Sequence, residues 1–118
     1  MNTYNIIDAD IIQSNMMNNT EMIKQMISMF LGQGREDFKA LQELVENKDF
    51  AGIKSKAHHI KPTMEYIGAS SLRYQFQELE NLVTSGAAYT DLKSHFTIME
   101  RDFKEAMEEL EDYASTLS

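Results

Sequence analysis

The stretch Lys56-Ala57-His58-His59-Ile60-Lys61-Pro62 carries the residues best suited to chemistry. Ala57 and Ile60 belong to an apolar seam of helical spacing. His58 stands one residue, about 100°, off Ala57, at the border of the buried face, and His59 turns a further ~100° towards solvent. Lys54 and Lys61, four before and three after, share the face of His58. In a chain with 11 Lys+Arg against 19 Asp+Glu and a net charge of −8, this is a local basic spot around an imidazole. A neutral, half-shielded imidazole is a nucleophile suited to covalent transfer. Such a site needs one group to hold the ring in the tautomer that frees the outer nitrogen. It needs another to offset the charge of an arriving group, roughly −2 for a phosphoryl. Lys61 suits the second task. Counting assigns the first: with a turn near Gly68-Ala69, His58 lies about ten residues before it and Glu80 about twelve after, both about 15–18 Å from the turn on adjacent antiparallel helices. Glu80 follows seam residue Leu79 as His58 follows Ala57. A carboxylate there would accept a hydrogen bond from one ring nitrogen and leave the other exposed.

Other chemistries fit less well. A histidine beside a seam is, by itself, more often structural; its coincidence with Lys54, Lys61, Gly68 and Glu80 favours the nucleophile. His58 and His59 diverge too far to chelate one metal, and neither a Glu-x-x-His nor a His-Glu-x-x-His motif occurs, so no metal site is expected. His95, next to Phe96, reads as structural or solvent-facing. The acidic run from Glu100 to Asp112 reads as the solvated face of the last helix. No calcium-loop spacing and no glycine-rich phosphate loop is present, which excludes an ATP-using kinase at this length. The acidic balance argues against nucleic acid, and no apolar run is long enough to span a membrane. With no Cys there are no disulfides, thiolate chemistry or cysteine zinc sites. No secretory leader is visible, and a cytoplasmic location is expected.

The elements that must position these residues are helical. Only 5 Gly and 1 Pro in 118 residues favour a few long helices over a many-stranded sheet. A short helix over about 8–14 would use Ile7 and Ile11 as a cap. Asn18 and Glu21 have the spacing of a capping box before a helix over about 19–46, with the stripe Ile23, Ile27, Phe30, Gly34, Phe38, Leu41 and Val45. Gly32 and Gly34 should weaken or bend it. A helix over about 49–67 carries the seam Phe50, Ile53, Ala57, Ile60, Met64 and Ile67, and Gly68 ends it. Helices over about 70–85 and 90–115 follow, the first with Leu72, Phe76, Leu79 and Val83 inward, the second capped by Thr90. The expected fold is all-α: one domain over 1–118, an antiparallel up-down-up-down four-helix bundle with a short N-terminal capping helix. The methionines of 16–29 are expected as adaptable core filler, with a groove for a partner as the lesser reading.

Ala57-His58-His59-Ile60-Lys61, with Gly68 ten residues after His58, resembles the signature of histidine-containing phosphotransfer (HPt) domains, Ala-His-x-Leu/Ile-Lys-Gly followed by small residues and a Gly. Phe30, Leu41, Leu72 and Leu79-Glu80 are also similar to the family's spacing. The resemblance implies a four-helix bundle that accepts a phosphoryl group from a receiver-domain aspartyl-phosphate and passes it to another receiver. It implies His58 as the phosphoacceptor, Lys61 as its neighbouring cation and Glu80 as the ring's hydrogen-bond partner. Pro62 stands where the family usually has Gly, and Glu65 where it has a small residue. Pro62 should kink the helix beside the site, and Glu65 puts a carboxylate on the docking face; both can act as selectivity elements against the wrong receiver.

The chain is therefore expected to be a stand-alone phosphorelay carrier, not an enzyme. His58 is the phosphoacceptor, Lys61, Glu80 and Lys54 support it, and His59, Pro62, Glu65 and Gly68 form the docking face. The expected partners are response-regulator receivers and a hybrid sensor histidine kinase. The chain needs no cofactor of its own, the receiver bringing Mg²⁺, and is expected to be a monomer. The alternative is a helical adaptor that binds a receiver or another signalling partner without taking phosphate.

Overall fold

The computed structural model describes residues 4–117. Among these the fold is all-α, with no strand: α1 (Ala9–Asn15), α2 (Thr20–Met29), a π-helical segment (Phe30–Gly34), α3 (Arg35–Glu46), α4 (Phe50–Tyr66), α5 (Ser70–Thr84) and α6 (Tyr89–Thr116). The molecule measures 46 × 22 × 20 Å. The 28 residues of α6, at 1.5 Å each about 42 Å long, account for its long axis.

The capping chemistry shifts slightly from the expectation. Asp8 caps α1 by accepting from the backbone N–H groups of Asp10 and Ile11. α1 thus begins at Ala9, and Ile12 is buried with Ile7 while Ile11 stays 38% exposed. The α2 cap is Asn19 rather than Asn18; its side chain accepts from Met22 N–H at 3.1 Å. Met17 and Asn18 take positive φ values in the turn from α1, a conformation that asparagine tolerates. Glu21 falls in the first turn of α2, where the helix dipole favours an acid. At α6 the cap position is Ala88, with no capping side chain, instead of Thr90.

α2, the π segment and α3 follow one another without a break. Their expected stripe, Ile23, Ile27, Phe30, Gly34, Phe38, Leu41 and Val45, is buried throughout. From Phe30 through Gly34 to Phe38 the spacing is four twice, overshooting a 3.6-residue repeat by about 0.8 residue. The wider π turn takes up that surplus and keeps the stripe facing inward. What sequence suggested as a bend at Gly32 and Gly34 is this π segment. A Cβ on Gly34 would lie 3.0 Å from the Phe30 ring.

α4 starts at the Asp49 cap and buries Ile53, Ala57, Ile60 and Met64. Phe50, in its first turn, is 40% exposed and does not join the seam. α4 is helical from Phe50 to Tyr66 with Pro62 inside it. The proline removes the N–H that would bond the His58 carbonyl, and the helix continues past it. Gly68 closes the helix at φ +67°, and Ala69 N–H returns to the Met64 carbonyl at 2.9 Å. α5 then runs back along α4 with Leu72, Phe76, Leu79 and also Glu80 buried, while Val83 is half-buried.

Phe38 joins the layers. Its ring stacks on Phe103 at 4.1 Å and Phe96 at 5.4 Å and meets Phe76 edge-on at 6.3 Å. The acidic face of α6 is only partly solvated. Asp102 is buried and accepts from Gln75 Nε2. Glu109 accepts three backbone N–H groups, from Asn5, Ile6 and Ile7. Asp102 thus ties α5 to α6, and Glu109 ties down the segment ahead of α1, whose backbone donors need acceptors.

Candidate functional site

The site forms where α4 and α5 run side by side. His58 projects from α4 with its side chain 71% exposed, wetter than a half-shielded ring. Its Nδ1 lies 3.1 Å from Oε1 of Glu80, whose side chain is 9% exposed. Glu80 is buried because it follows Leu79 on the face of α5 that α4 covers. Lys61, one turn after His58, donates from Nζ to the other carboxylate oxygen, Oε2 of Glu80, at 2.8 Å. The same ammonium donates to Oε1 of Gln77 at 2.6 Å.

This arrangement fixes the tautomer. An ionised carboxylate only accepts, so Nδ1 carries the hydrogen and donates it to Glu80. Nε2 then keeps its lone pair on the solvent side. With a neutral imidazole, the Glu80 carboxylate and the Lys61 ammonium cancel in formal charge. Lys61 is only 15% exposed and is engaged by Glu80 and Gln77, so its first role in this structure is to neutralise Glu80.

The remaining candidate residues divide by location. Lys54 is exposed one turn before His58, and among the described residues no ion pair holds it. His59 is exposed, its Nε2 3.9 Å from Oδ2 of Asp37 on α3. Pro62 and Glu65 continue the exposed ridge of α4 from His58, and Glu65 pairs with Arg73 Nε at 3.1 Å. Gly68 lies apart from them, beneath the N-terminal segment. A Cβ there would come within 2.6 Å of the Asp8 Cβ, and Asp8 N–H donates to the Ile67 carbonyl at 3.0 Å. His95 is structural, its Nε2 2.8 Å from the Gln75 carbonyl. The methionines do not all serve as filler. Met22, Met26 and Met29, with Phe30, His59 and Tyr66, line an open groove of about 690 Å³ beside the site, and Met29 is 68% exposed.

Sequence reasoning missed two residues. Gln77 stands three before Glu80 and so shares its face of α5, which was the available signal. Asp37 precedes seam residue Phe38, but only the packing of α3 on α4 places it beside His59 and, at 3.8 Å, Lys56.

Compared with known protein families, the chain matches the Hpt domain over residues 25–117. The chain belongs to the Hpt domain family. The matched stretch contains His58, Lys61, Gln77 and Glu80, and α1 lies outside it. No curated protein and no solved structure matches the chain. Hpt domains take part in histidine phosphotransfer in two-component signalling, as phosphocarriers rather than kinases, and interact with receiver domains. In this Hpt domain no described helix is long and apolar enough to cross a membrane.

Proposed function

We propose that this chain is a monomeric cytoplasmic carrier in a multistep phosphorelay, with His58 as the phosphoacceptor. It takes a phosphoryl group from an aspartyl-phosphate on one receiver, such as that of a hybrid sensor kinase, and gives it to a response regulator. Counting α2, the π segment and α3 as one helix, the scaffold is an up-down-up-down four-helix bundle capped by α1. The observation that carries this reading is the capped ring: Nδ1 is engaged by a buried carboxylate while the ring remains exposed to solvent.

In the first step the Nε2 lone pair of His58 attacks phosphorus. The N–P bond forms, the bond from phosphorus to the aspartyl oxygen breaks, and the receiver recovers its carboxylate. Because Nδ1 keeps its hydrogen, positive charge develops on the ring. The Glu80 carboxylate, already in place, stabilises that charge without reorganisation. The reverse electron flow delivers the group to the second receiver's aspartate. The receiver brings the Mg²⁺ that the transferring group needs. Lys61 keeps Glu80 from presenting an uncompensated negative charge, and exposed Lys54 adds long-range attraction. The receiver seats on the ridge of His58, His59, Pro62 and Glu65, with the methionine groove supplying apolar contact.

Incubation with a phosphorylated receiver tests this. The wild type should acquire acid-labile, alkali-stable label and His58→Gln none; label undiminished in His58→Gln refutes the assignment. The groove would also serve a helical adaptor that never takes phosphate. An adaptor keeps its partner response after His58→Ala, and a carrier loses it.

A further inference from the structure

A chain of side-chain hydrogen bonds leaves the site along α5 and passes through a residue with no assigned role. Lys61 Nζ donates to Gln77 Oε1 at 2.6 Å, Gln77 Nε2 donates to Asn81 Oδ1 at 3.1 Å, and Asn81 Nδ2 donates to Glu78 Oε1 at 3.1 Å. Gln77 thus spends its carbonyl on the ammonium and its amide on Asn81, which fixes the orientation of the amide. Lys61 has four methylenes of freedom and one anionic partner, Glu80. A single strong contact leaves an ammonium free to swing about it. A second acceptor on the same helix face, three residues before Glu80, pins it.

We propose that Gln77 is a positioning residue for phosphoryl transfer: it clamps Lys61 onto Glu80 Oε2, so that Glu80 Oε1 stays turned to Nδ1 and Nε2 of His58 stays unprotonated. This rests on the phosphocarrier reading above. Each carboxylate oxygen has its own partner, the ammonium on Oε2 and the ring on Oε1. If Lys61 drifts, it competes for Oε1 and the carboxylate rotates. The ring then loses its reason to keep the hydrogen on Nδ1. Partners one step removed from a reactive imidazole act in this way, by fixing tautomer and orientation.

The test compares Gln77→Met, which keeps the shape of the side chain but removes its carbonyl, with Gln77→Glu, which keeps an oxygen for the ammonium. Asn81→Ala removes only the outer link. Two quantities are read on the intact chain: the imidazole tautomer of His58 by ¹⁵N NMR without phosphate, and the initial rate of phosphoryl uptake from an excess of phosphorylated receiver. Gln77→Met should populate the Nε2–H tautomer and slow uptake by about tenfold. Gln77→Glu should restore the tautomer but not the rate, because its added negative charge meets the arriving phosphoryl group, and Asn81→Ala should change uptake by about twofold or less, as expected for a link outside the site. Circular dichroism confirms that each variant is helical. A wild-type tautomer ratio and wild-type rate in helical Gln77→Met overturn the proposal, as does a shifted tautomer with an unchanged rate. Failure of the wild type itself to take label overturns the phosphocarrier reading instead, so the two failures are distinguishable.

Discussion

At the scale of the residue, the site is one imidazole between water and a neutralised carboxylate. Glu80 differs from an ordinary surface acid because Lys61 occupies one of its oxygens and the ring the other. The two groups are interdependent, and substitutions should show it. Glu80→Ala removes the Nδ1 acceptor and releases the half-buried ammonium; phosphoryl uptake in a rapid-quench assay should fall about 10–100-fold. Glu80→Gln retains a carbonyl for Nδ1 and should lose far less. Lys61→Met leaves a buried carboxylate without its cation and should lower unfolding free energy by about 1–3 kcal/mol in urea titration. An unchanged stability there would mean that the carboxylate is solvated enough not to need its partner.

At the scale of the element, the turn at Gly68 sets the register that brings His58 and Glu80 together across 22 residues of sequence. Gly68 stands at φ +67° with Asp8 against it. Gly68→Ala should therefore destabilise by about 1–2 kcal/mol from backbone strain alone, with more from the contact, and lower Tm by about 4 °C per kcal/mol. Pro62 offers the opposite sign. Pro62→Ala restores a backbone donor for the His58 carbonyl and should stabilise the fold by up to about 3 kcal/mol, seen as a higher Tm. The helices were legible because their seams repeat at three and four, and the pairing of His58 with Glu80 was legible because both follow a seam residue by one. Their ends were less so. Asn18 and Asn19 are chemically alike, and only the positive φ of Asn18 decides which one caps α2. The π segment escaped notice because glycine spacing suggests weakness without saying which kind. Gln77 was hidden because its only signal, a place three before Glu80 on the same helix face, has no meaning until that face is known to meet Lys61.

At the scale of the whole molecule, the aromatic hub and the acidic face of α6 hold the frame. Phe38 touches rings from α5 and α6. Phe38→Ala should cost about 3–5 kcal/mol, visible as a lower urea midpoint, and should reduce phosphoryl uptake only through the fraction unfolded. The Glu100–Asp112 run read as solvated surface from sequence, since nothing local reveals that backbone donors some hundred residues earlier in the chain will reach Glu109. Glu109→Ala should leave uptake by His58 unchanged while amide exchange at Asn5, Ile6 and Ile7 speeds up. Unaltered protection of those amides would show that other contacts hold the segment.

The central claim is that Nδ1 of His58 is engaged by Glu80 and Nε2 is the nucleophile. The position of the N–P bond reports this directly. In ¹⁵N-labelled protein charged by a phosphorylated receiver, the phosphorus should couple to Nε2 of His58, with the Nδ1–H signal retained. A phosphoryl group found on Nδ1 of His58, or on His59, would contradict the account.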